Sequence, residues 1–246
     1  PGWTHPPFNA FIFLEAIVSD DPFAPRFEDL AEIIPIFPLA GVLLLPGGML
    51  PLNIFEPRYL AMTRDAIRTQ TRLIGMIQPI GGPDIRNPLT PGQENGRVGP
   101  EIYPTGCAGR ITNFAETDDG CYQITLSGIA RFHIADELAL ENGYRRVRPD
   151  FGPFRADMET PTSGGAASTR LLGALEHYFT LQGIQPDWAT LRKMETTELV
   201  TFLSMACPFD ASEKQALLEA QDTEARMHVL LSVLEMSGVL DDGGAG

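Results

Sequence analysis

The two lysines of the chain, Lys193 and Lys214, bear on nucleotide and peptidase chemistry. A phosphate-binding P-loop needs Gly-Lys followed by Ser or Thr, because the lysine reaches the phosphates and the hydroxyl holds Mg²⁺. Arg192 and Glu213 precede the two lysines, so the chain contains no P-loop. It also contains neither an SxxK nor a GxSxG pattern, which mark two kinds of serine nucleophile. The sequence therefore predicts no ATP hydrolysis by a P-loop, no peptidase activity, and a protein that is not an enzyme.

Histidine and cysteine are frequent zinc ligands and catalytic groups, but no HExxH or CxxC spacing occurs. Cys107 lies among glycines on a predicted strand and Cys207 at a helix end, so both are predicted to fill small apolar spaces. Cys121 lies beside Asp118 and Asp119, whose charge disfavours a thiolate. We predict no metal and no cofactor, and three cysteines favour free thiols in a reducing, cytoplasmic compartment. The histidines to which this prediction applies are His5, His133, His177 and His228.

Composition and charge exclude several classes of protein. The 246 residues carry a formal net charge of −14, which repels phosphate backbones and disfavours nucleic-acid binding. The apolar fraction of 43% is ordinary for a soluble globular protein. No apolar run approaches the roughly 20 residues that span a membrane, so no membrane partner is predicted. The sequence predicts no particular oligomeric state.

The segment from residue 34 to residue 67 carries the strongest local pattern. A short apolar strand is followed by two more apolar runs, Val42–Leu45 and Met49–Ile54, with proline and glycine between them. Apolar runs of this length between Pro and Gly predict buried strands. A helix is predicted from Pro57, because proline lacks the N–H that a first helical turn leaves unpaired. The acidic and basic residues on either side of Pro57 are predicted to form an ion pair or a cap.

Further strands are predicted as far as residue 150. Asp118-Asp119-Gly120 predicts a hairpin turn, because Asp-Gly tolerates positive φ. Residues 81–100 have no periodicity and are rich in Gly, Pro and Asn, which favours a mobile insertion over a binding loop. The predicted strands are 73–77, 102–111, 122–126, 128–134 and 144–147.

The periodicity becomes helical after residue 169. Residues 151–169 are rich in Pro, Gly, Ser and Thr and are predicted to form a linker. Asp187 and Asp222 are predicted N-caps of helices, and Asp210 with Glu213 has the spacing of a capping box. These signals predict several short helices, each with one apolar stripe.

A set of short segments occurs along the chain in a characteristic order and spacing. They are Pro35, Phe37-Pro38-Leu39, Leu45-Pro46-Gly47, Leu50-Pro51-Leu52, Phe55-Glu56-Pro57-Arg58-Tyr59, Gly106–Ile111, Ile124–Ile134 and Glu213–Glu219. Together they resemble the N-terminal substrate-binding domain of the ATP-dependent protease Lon, over residues 33–240. The resemblance implies an α+β fold, in which a small, curled, mostly antiparallel β-barrel of PUA-like type with one helix is followed by an α-helical bundle. It does not reach the ATPase domain or the Ser–Lys peptidase domain of Lon.

The predicted organisation has five parts. An N-terminal arm, anchored by Phe23 and Phe27, covers residues 1–32. The β-barrel subdomain covers residues 33–150, the linker 151–169, the helical subdomain 170–240 and a tail 241–246.

The resemblance implies a module that binds unfolded or exposed segments of other proteins. An adaptor role in proteolysis or protein quality control, with a protease as partner, would be one form of this function. Rigid aromatic, adaptable methionine and arginine side chains are the candidate peptide contacts, and packing in the core is the alternative for the apolar ones. The candidates are Met49, Phe55, Arg58, Tyr59, Met62 and Arg110.

A second hypothesis is a small-molecule or RNA-binding domain, because PUA-like barrels elsewhere hold RNA or modified bases. Such a protein would need a closed pocket with converging polar groups, or a continuous basic surface for the phosphates. The arginines that would form this surface are Arg110, Arg131, Arg145, Arg146 and Arg148.

Overall fold

A computed structural model describes residues 25–81, 99–159 and 169–242, and within them strands precede most of the helices. The six strands form one mixed sheet. The strands are β1 (Ile34–Pro38), β2 (Met49–Ile54), β3 (Leu73–Ile77), β4 (Thr105–Glu116), β5 (Tyr122–Glu141) and β6 (Tyr144–Asp150). The helices are α1 (Pro57–Arg68), α2 (Thr169–Leu181), α3 (Trp188–Leu191), α4 (Thr196–Ala206), α5 (Ala211–Glu219) and α6 (Thr223–Asp242), with short 3₁₀ helices at Phe27–Asp29 and Gly152–Met158.

The strand order in the sheet is β2-β5-β4-β3-β1-β6, and β5 also pairs with β6. The pairings therefore follow a closed circuit through β5, β4, β3, β1 and β6, with β2 attached to β5. β1 and β3 are parallel, because the chain between them passes through β2 and α1, and the other pairs are antiparallel. The predicted α+β class with a mostly antiparallel sheet is confirmed.

β5 is one continuous strand of 20 residues, where the sequence predicted two shorter strands. A register shift opposite it, between Ala108 and Gly109 of β4, absorbs the irregularity near Gly128 and lets the strand continue. The predicted turn before β5 is confirmed, and Gly120 has the expected positive φ of 77°. Long strands that bend in this way allow one element to pair with β2, β4 and β6.

Val42–Leu45 is not a strand, and this prediction was wrong. The run is a buried loop, and its three leucines are at most 2% exposed. The side chain of Gln78 holds it, accepting from the Gly41 N–H at 3.0 Å and donating to the Val42 carbonyl at 2.7 Å. Because these bonds replace a strand ladder, an apolar pattern alone could not distinguish the loop from a strand.

The predicted helix caps are confirmed. Asp187 accepts from the N–H groups of the first turn of α3, and Asp222 accepts from the Ala225 N–H at 2.8 Å. Asp210 and Glu213 form the reciprocal bonds of a capping box at α5. Pro57 occupies the first turn of α1, as predicted.

One hydrophobic cluster contains residues of both the strands and the helices, so the two parts share a core. The buried leucine loop contributes to this cluster together with the inner faces of α2, α4, α5 and α6. A second cluster lies inside the strand circuit around Phe132, and Phe27 packs at its margin. Phe27 also carries the guanidinium of Arg155 over its ring at 4.4 Å. Phe23 and residues 82–98, for which we predicted an anchor and a mobile insertion, lie outside the described residues.

Candidate functional site

A groove of about 290 Å³ lies between the C-terminal half of α1 and the outer part of β4. Its apolar lining comes from Ile67, Ile111 and Phe114. Two polar residues of β4 and three arginines from α1 and the segment after it complete the lining. We call it the α1–β4 groove, and its arginines are Arg64, Arg68 and Arg72.

The arginines of the α1–β4 groove are only partly neutralised. Arg68 pairs with Asp65 at 3.2 Å, whereas neither Arg64 nor Arg72 forms an ion pair with another described residue. Asp65 is shared, because it also accepts from the Asn142 amide and the Tyr144 hydroxyl, each at 3.0 Å. The groove therefore has a positive rim on a chain whose net charge is −14.

Arg72 has a backbone conformation that favours glycine. Its φ is +53°, in the left-handed region, which costs a residue with a side chain about 1–2 kcal/mol. Two hydrogen bonds fix this conformation. The Arg72 N–H donates to Thr69 Oγ1 at 3.0 Å, and its carbonyl accepts from the Ile111 N–H at 3.0 Å. The arginine is thus placed at the groove by a bend that glycine would make with less strain.

One edge of β4 is unpaired beside the groove. β3 pairs with β4 only as far as Arg110, and the bond from Ile111 to Arg72 is the next contact of the two backbones. From residue 112 to residue 116, β4 pairs only with β5 among the described strands, and its side chains are exposed. An open strand edge can accept another extended segment through main-chain hydrogen bonds.

The six predicted peptide contacts differ in their accessibility. Met62 is fully buried and Tyr59 is 8% exposed, so both pack in the core. Phe55 is 50% exposed, and Met49, Arg58 and Arg110 also reach the surface. Met49 and Arg110 lie in one row, because both pair with Ser127 from opposite sides.

Arg58 and Glu56 form the predicted ion pair at 2.7 Å, and the Arg58 guanidinium lies 4.7 Å from the centre of the Tyr59 ring. None of the six predicted contacts lines the α1–β4 groove. The sequence did contain a signal for this groove. Arg64 and Arg68 are four residues apart on a predicted helix and therefore share one face.

Two of the cysteines and one histidine are enclosed or hydrogen-bonded within the fold. Cys107 and Cys207 are buried, and burial raises the pKa of Cys107 strongly and that of Cys207 to about 12. His133 shares a hydrogen bond with Thr105 at 3.1 Å. In the described ranges, no group of three or more His, Cys, Asp or Glu is placed to hold a metal ion.

None of the helices in the described ranges combines the length and the apolarity that a membrane span requires.

The buried side chain of Arg131 joins the strands to the helical part and to the 3₁₀ helix that follows β6. Arg131 of β5 donates from two nitrogens to Asp157, at 2.8 and 2.6 Å, and the two side chains are 5% and 9% exposed. The guanidinium also donates to the carbonyls of Leu218, Ala220 and Gln221 at the end of α5. Arg131 therefore replaces the hydrogen bonds that the last turn of a helix lacks.

The arginine surface required for RNA binding is not formed by the five predicted residues. Arg131 is buried as described, and Arg145 is buried in an ion pair with Glu137 at 2.6 Å. Arg146 pairs with Glu141, and Arg148 lies 4.0 Å from Asp136. Arg145, Arg146 and Arg148 therefore face carboxylates of the same sheet, and Arg131 pairs with Asp157 of the 3₁₀ helix that follows β6.

Lys214 gives the stability a pH dependence that can be measured. Its Nζ donates to the carbonyls of Gly41 at 2.7 Å and Met205 at 3.3 Å, and burial lowers the pKa of Lys214 from 10.5 to about 8. The folded state therefore loses this proton at a lower pH than the unfolded state. Stability should be independent of Lys214 ionisation below pH 8 and should rise between pH 8 and 10.5.

Chemical unfolding of wild type and Lys214→Met tests this prediction. Between pH 7 and pH 10, the free energy of unfolding of wild type should rise by about 1–3 kcal/mol relative to that of Lys214→Met. Cys207 remains a thiol in this range, because its pKa is raised to about 12. A difference that does not change with pH would show that Lys214 is not desolvated.

The described residues combine a curled six-stranded sheet with a helical part that shares its hydrophobic core. Residues 33–236 match the family model of the substrate-binding domain of the ATP-dependent protease La (LON). Since this match covers most of the chain, the chain belongs to the LON substrate-binding domain family.

Relatives in sequence are Lon proteases. The chain is 26% identical over 215 residues to Lon protease 2 of Myxococcus xanthus, covering 84% of this chain and 24% of that protein. It is 25% identical over 213 residues to the Lon protease of Anaeromyxobacter dehalogenans, covering 84% and 23%. The chain therefore spans about a quarter of the length of these relatives.

Two solved structures share the fold. The Lon N-terminal domain protein from Xanthomonas campestris is 22% identical and matches with a TM-score of 0.53, covering 82% of this chain and 98% of the other. The N-terminal domain of the Mycobacterium avium complex Lon protease is 14% identical and matches with a TM-score of 0.51, again over 82% and 98%.

Proposed function

We propose that this chain is a non-enzymatic recognition module that binds unfolded or exposed segments of other proteins. The observation that carries the proposal is the match to the LON substrate-binding domain over residues 33–236. The chemistry of the described residues supports it. Their buried charged side chains bond to helix ends or to carboxylates of the sheet, and their cysteines are free and mostly buried. Such groups stabilise a fold and leave recognition to the surface.

The proposed contact surface combines accessible apolar and arginine side chains near β2 and β4. Phe55 supplies a rigid apolar contact, and Met49 an adaptable one. Arg58 and Arg110 can donate to carbonyls or carboxylates of an extended segment. β2 supports this placement, because among the described strands it pairs only with β5 and presents its other edge to a partner.

The proposal extends to the biological setting. A module of this kind would act as an adaptor that delivers exposed protein segments to a protease or to another quality-control machine. The free thiols agree with a reducing, cytoplasmic compartment.

The test compares one polypeptide in two states. A fluorescently labelled polypeptide whose cysteines have been reduced and alkylated stays unfolded, and the same polypeptide with its native disulfides is the folded control. In anisotropy titrations, the unfolded form should bind at least about tenfold more tightly than the native form, because only exposed chain can add to a strand edge. Equal affinity for the two forms, or no binding to either, would overturn the proposal.

A further inference from the structure

We propose that the α1–β4 groove binds an acidic polypeptide segment in which an apolar side chain lies between carboxylates. This inference rests on the proposed function and names the class of segment that one particular surface takes. The occupant is an extended stretch of another protein.

The size and lining of the groove fit one apolar anchor. The volume of about 290 Å³ is at the lower end of the range for small-molecule sites, which suits one large side chain with its neighbouring backbone. Phe114 is 43% exposed although it is aromatic, and it contacts the Tyr122 ring with 5.0 Å between centroids. Its ring is therefore held on one side and open to a partner on the other.

The charge of the rim selects carboxylates. Arg64 and Arg72 have no carboxylate partner among the described residues, and the Asp65 that pairs with Arg68 is shared with two further donors. A guanidinium offers a planar pair of N–H donors that matches a carboxylate, so charge complementarity favours Asp and Glu beside the anchor. A basic segment would instead meet three like charges.

The backbone of β4 explains why the occupant is a polypeptide. Residues 112–114 of the open edge line the same groove, so an extended chain can pair with this edge while its apolar side chain enters the groove. The strained φ of +53° at Arg72 places the third arginine where β3 leaves this edge. Main-chain pairing and arginine contacts thus act on one extended segment.

The experiment uses three labelled 12-residue peptides that share a central Leu-Phe pair. The residues on either side of this pair are Asp and Glu in the first peptide, Asn and Gln in the second, and Lys and Arg in the third. In anisotropy titrations with the whole chain at low salt, the acidic peptide should bind about tenfold or more tightly than the neutral one, and its affinity should fall as salt is raised. The basic peptide should bind more weakly than the neutral one.

Arg72→Gly is the decisive variant, because it removes the guanidinium and also relieves the positive φ. It should weaken binding of the acidic peptide by about threefold to tenfold while leaving resistance to denaturant unchanged or higher. Arg64→Gln should weaken the same peptide to a similar extent. The matched control is Arg170→Gln, which removes one positive charge from an arginine that pairs with Glu235 away from the groove, and it should leave the affinity unchanged.

The outcomes separate this inference from the proposed function. If the unfolded polypeptide binds but the three peptides bind alike, or Arg72→Gly has no effect on the acidic peptide, the groove assignment is overturned and general recognition stands. If no polypeptide binds at all, both fail. Tighter binding of a labelled RNA oligonucleotide, lost in Arg72→Gly, would also overturn the assignment to a peptide.

Discussion

Replacing Arg131 with Met should lower the free energy of unfolding by about 3–5 kcal/mol, which is a large part of the stability of an ordinary domain. The substitution leaves the Asp157 carboxylate buried without its ion pair and removes the donors that satisfy three carbonyls at the end of α5. Unpaired charge and unpaired carbonyls are both costly in a buried setting. Urea unfolding followed by circular dichroism measures the loss.

The control for Arg131→Met is Arg192→Met. Arg192 pairs with Glu176 at 3.3 Å, but both side chains are about 60% exposed, so this loss should be less than about 1 kcal/mol. Replacing Asp157 with Leu in the Arg131→Met background should recover part of the stability, since no uncompensated charge then remains. A loss below about 1 kcal/mol for Arg131→Met would mean that the Arg131 side chain does not hold α5 to the strands.

Replacing Gly128 with Ala should cost about 3 kcal/mol, at the upper end of the range for an overpacked core. A Cβ at this position would overlap the Leu45 carbonyl oxygen, which belongs to the backbone of the buried leucine loop. Gly128 also exchanges hydrogen bonds with the turn that directly follows this loop, donating to the Gly48 carbonyl at 2.8 Å and accepting from the Gly47 N–H at 3.0 Å. The loop would have to move away and lose both bonds and packing.

Gly173→Ala is the matched control for Gly128→Ala, since it adds the same methyl group. Gly173 is exposed on α2, and a Cβ there would have no neighbour within 4 Å. Alanine is the better helix former, so this variant should gain about 0.5–1 kcal/mol. Opposite signs for the two variants in the same unfolding assay are expected. Equal effects would show that the loop does not press against β5.

Local patterns were sufficient for the helix caps and for the turn before β5. The caps at Asp187, Asp210 and Asp222, the turn at Gly120 and the proline at the start of α1 were predicted, because each depends on residues within one turn of the chain. The family resemblance supplied the fold class.

These local patterns could not predict contacts between residues that are distant in the chain. The leucine loop was predicted as a strand because its burial is visible in the sequence, whereas its backbone partners, Gln78 and Gly128, are distant in the chain. For the same reason the α1–β4 groove was missed. Ile111 and Phe114 belong to β4, which follows α1 and β3 in the chain and meets α1 only in the folded structure.

The sequence by itself determined several helix starts, the residues that cap them, and that the chain resembles a substrate-binding domain. Only the tertiary structure decided which arginines are buried in ion pairs and which remain at an open groove. The physical reason is that the sequence does not distinguish an arginine that satisfies a helix end from one that faces solvent. Arg131 is an example of the first and Arg64 of the second. The role of an arginine depends on carboxylates and carbonyls that other parts of the chain bring to it.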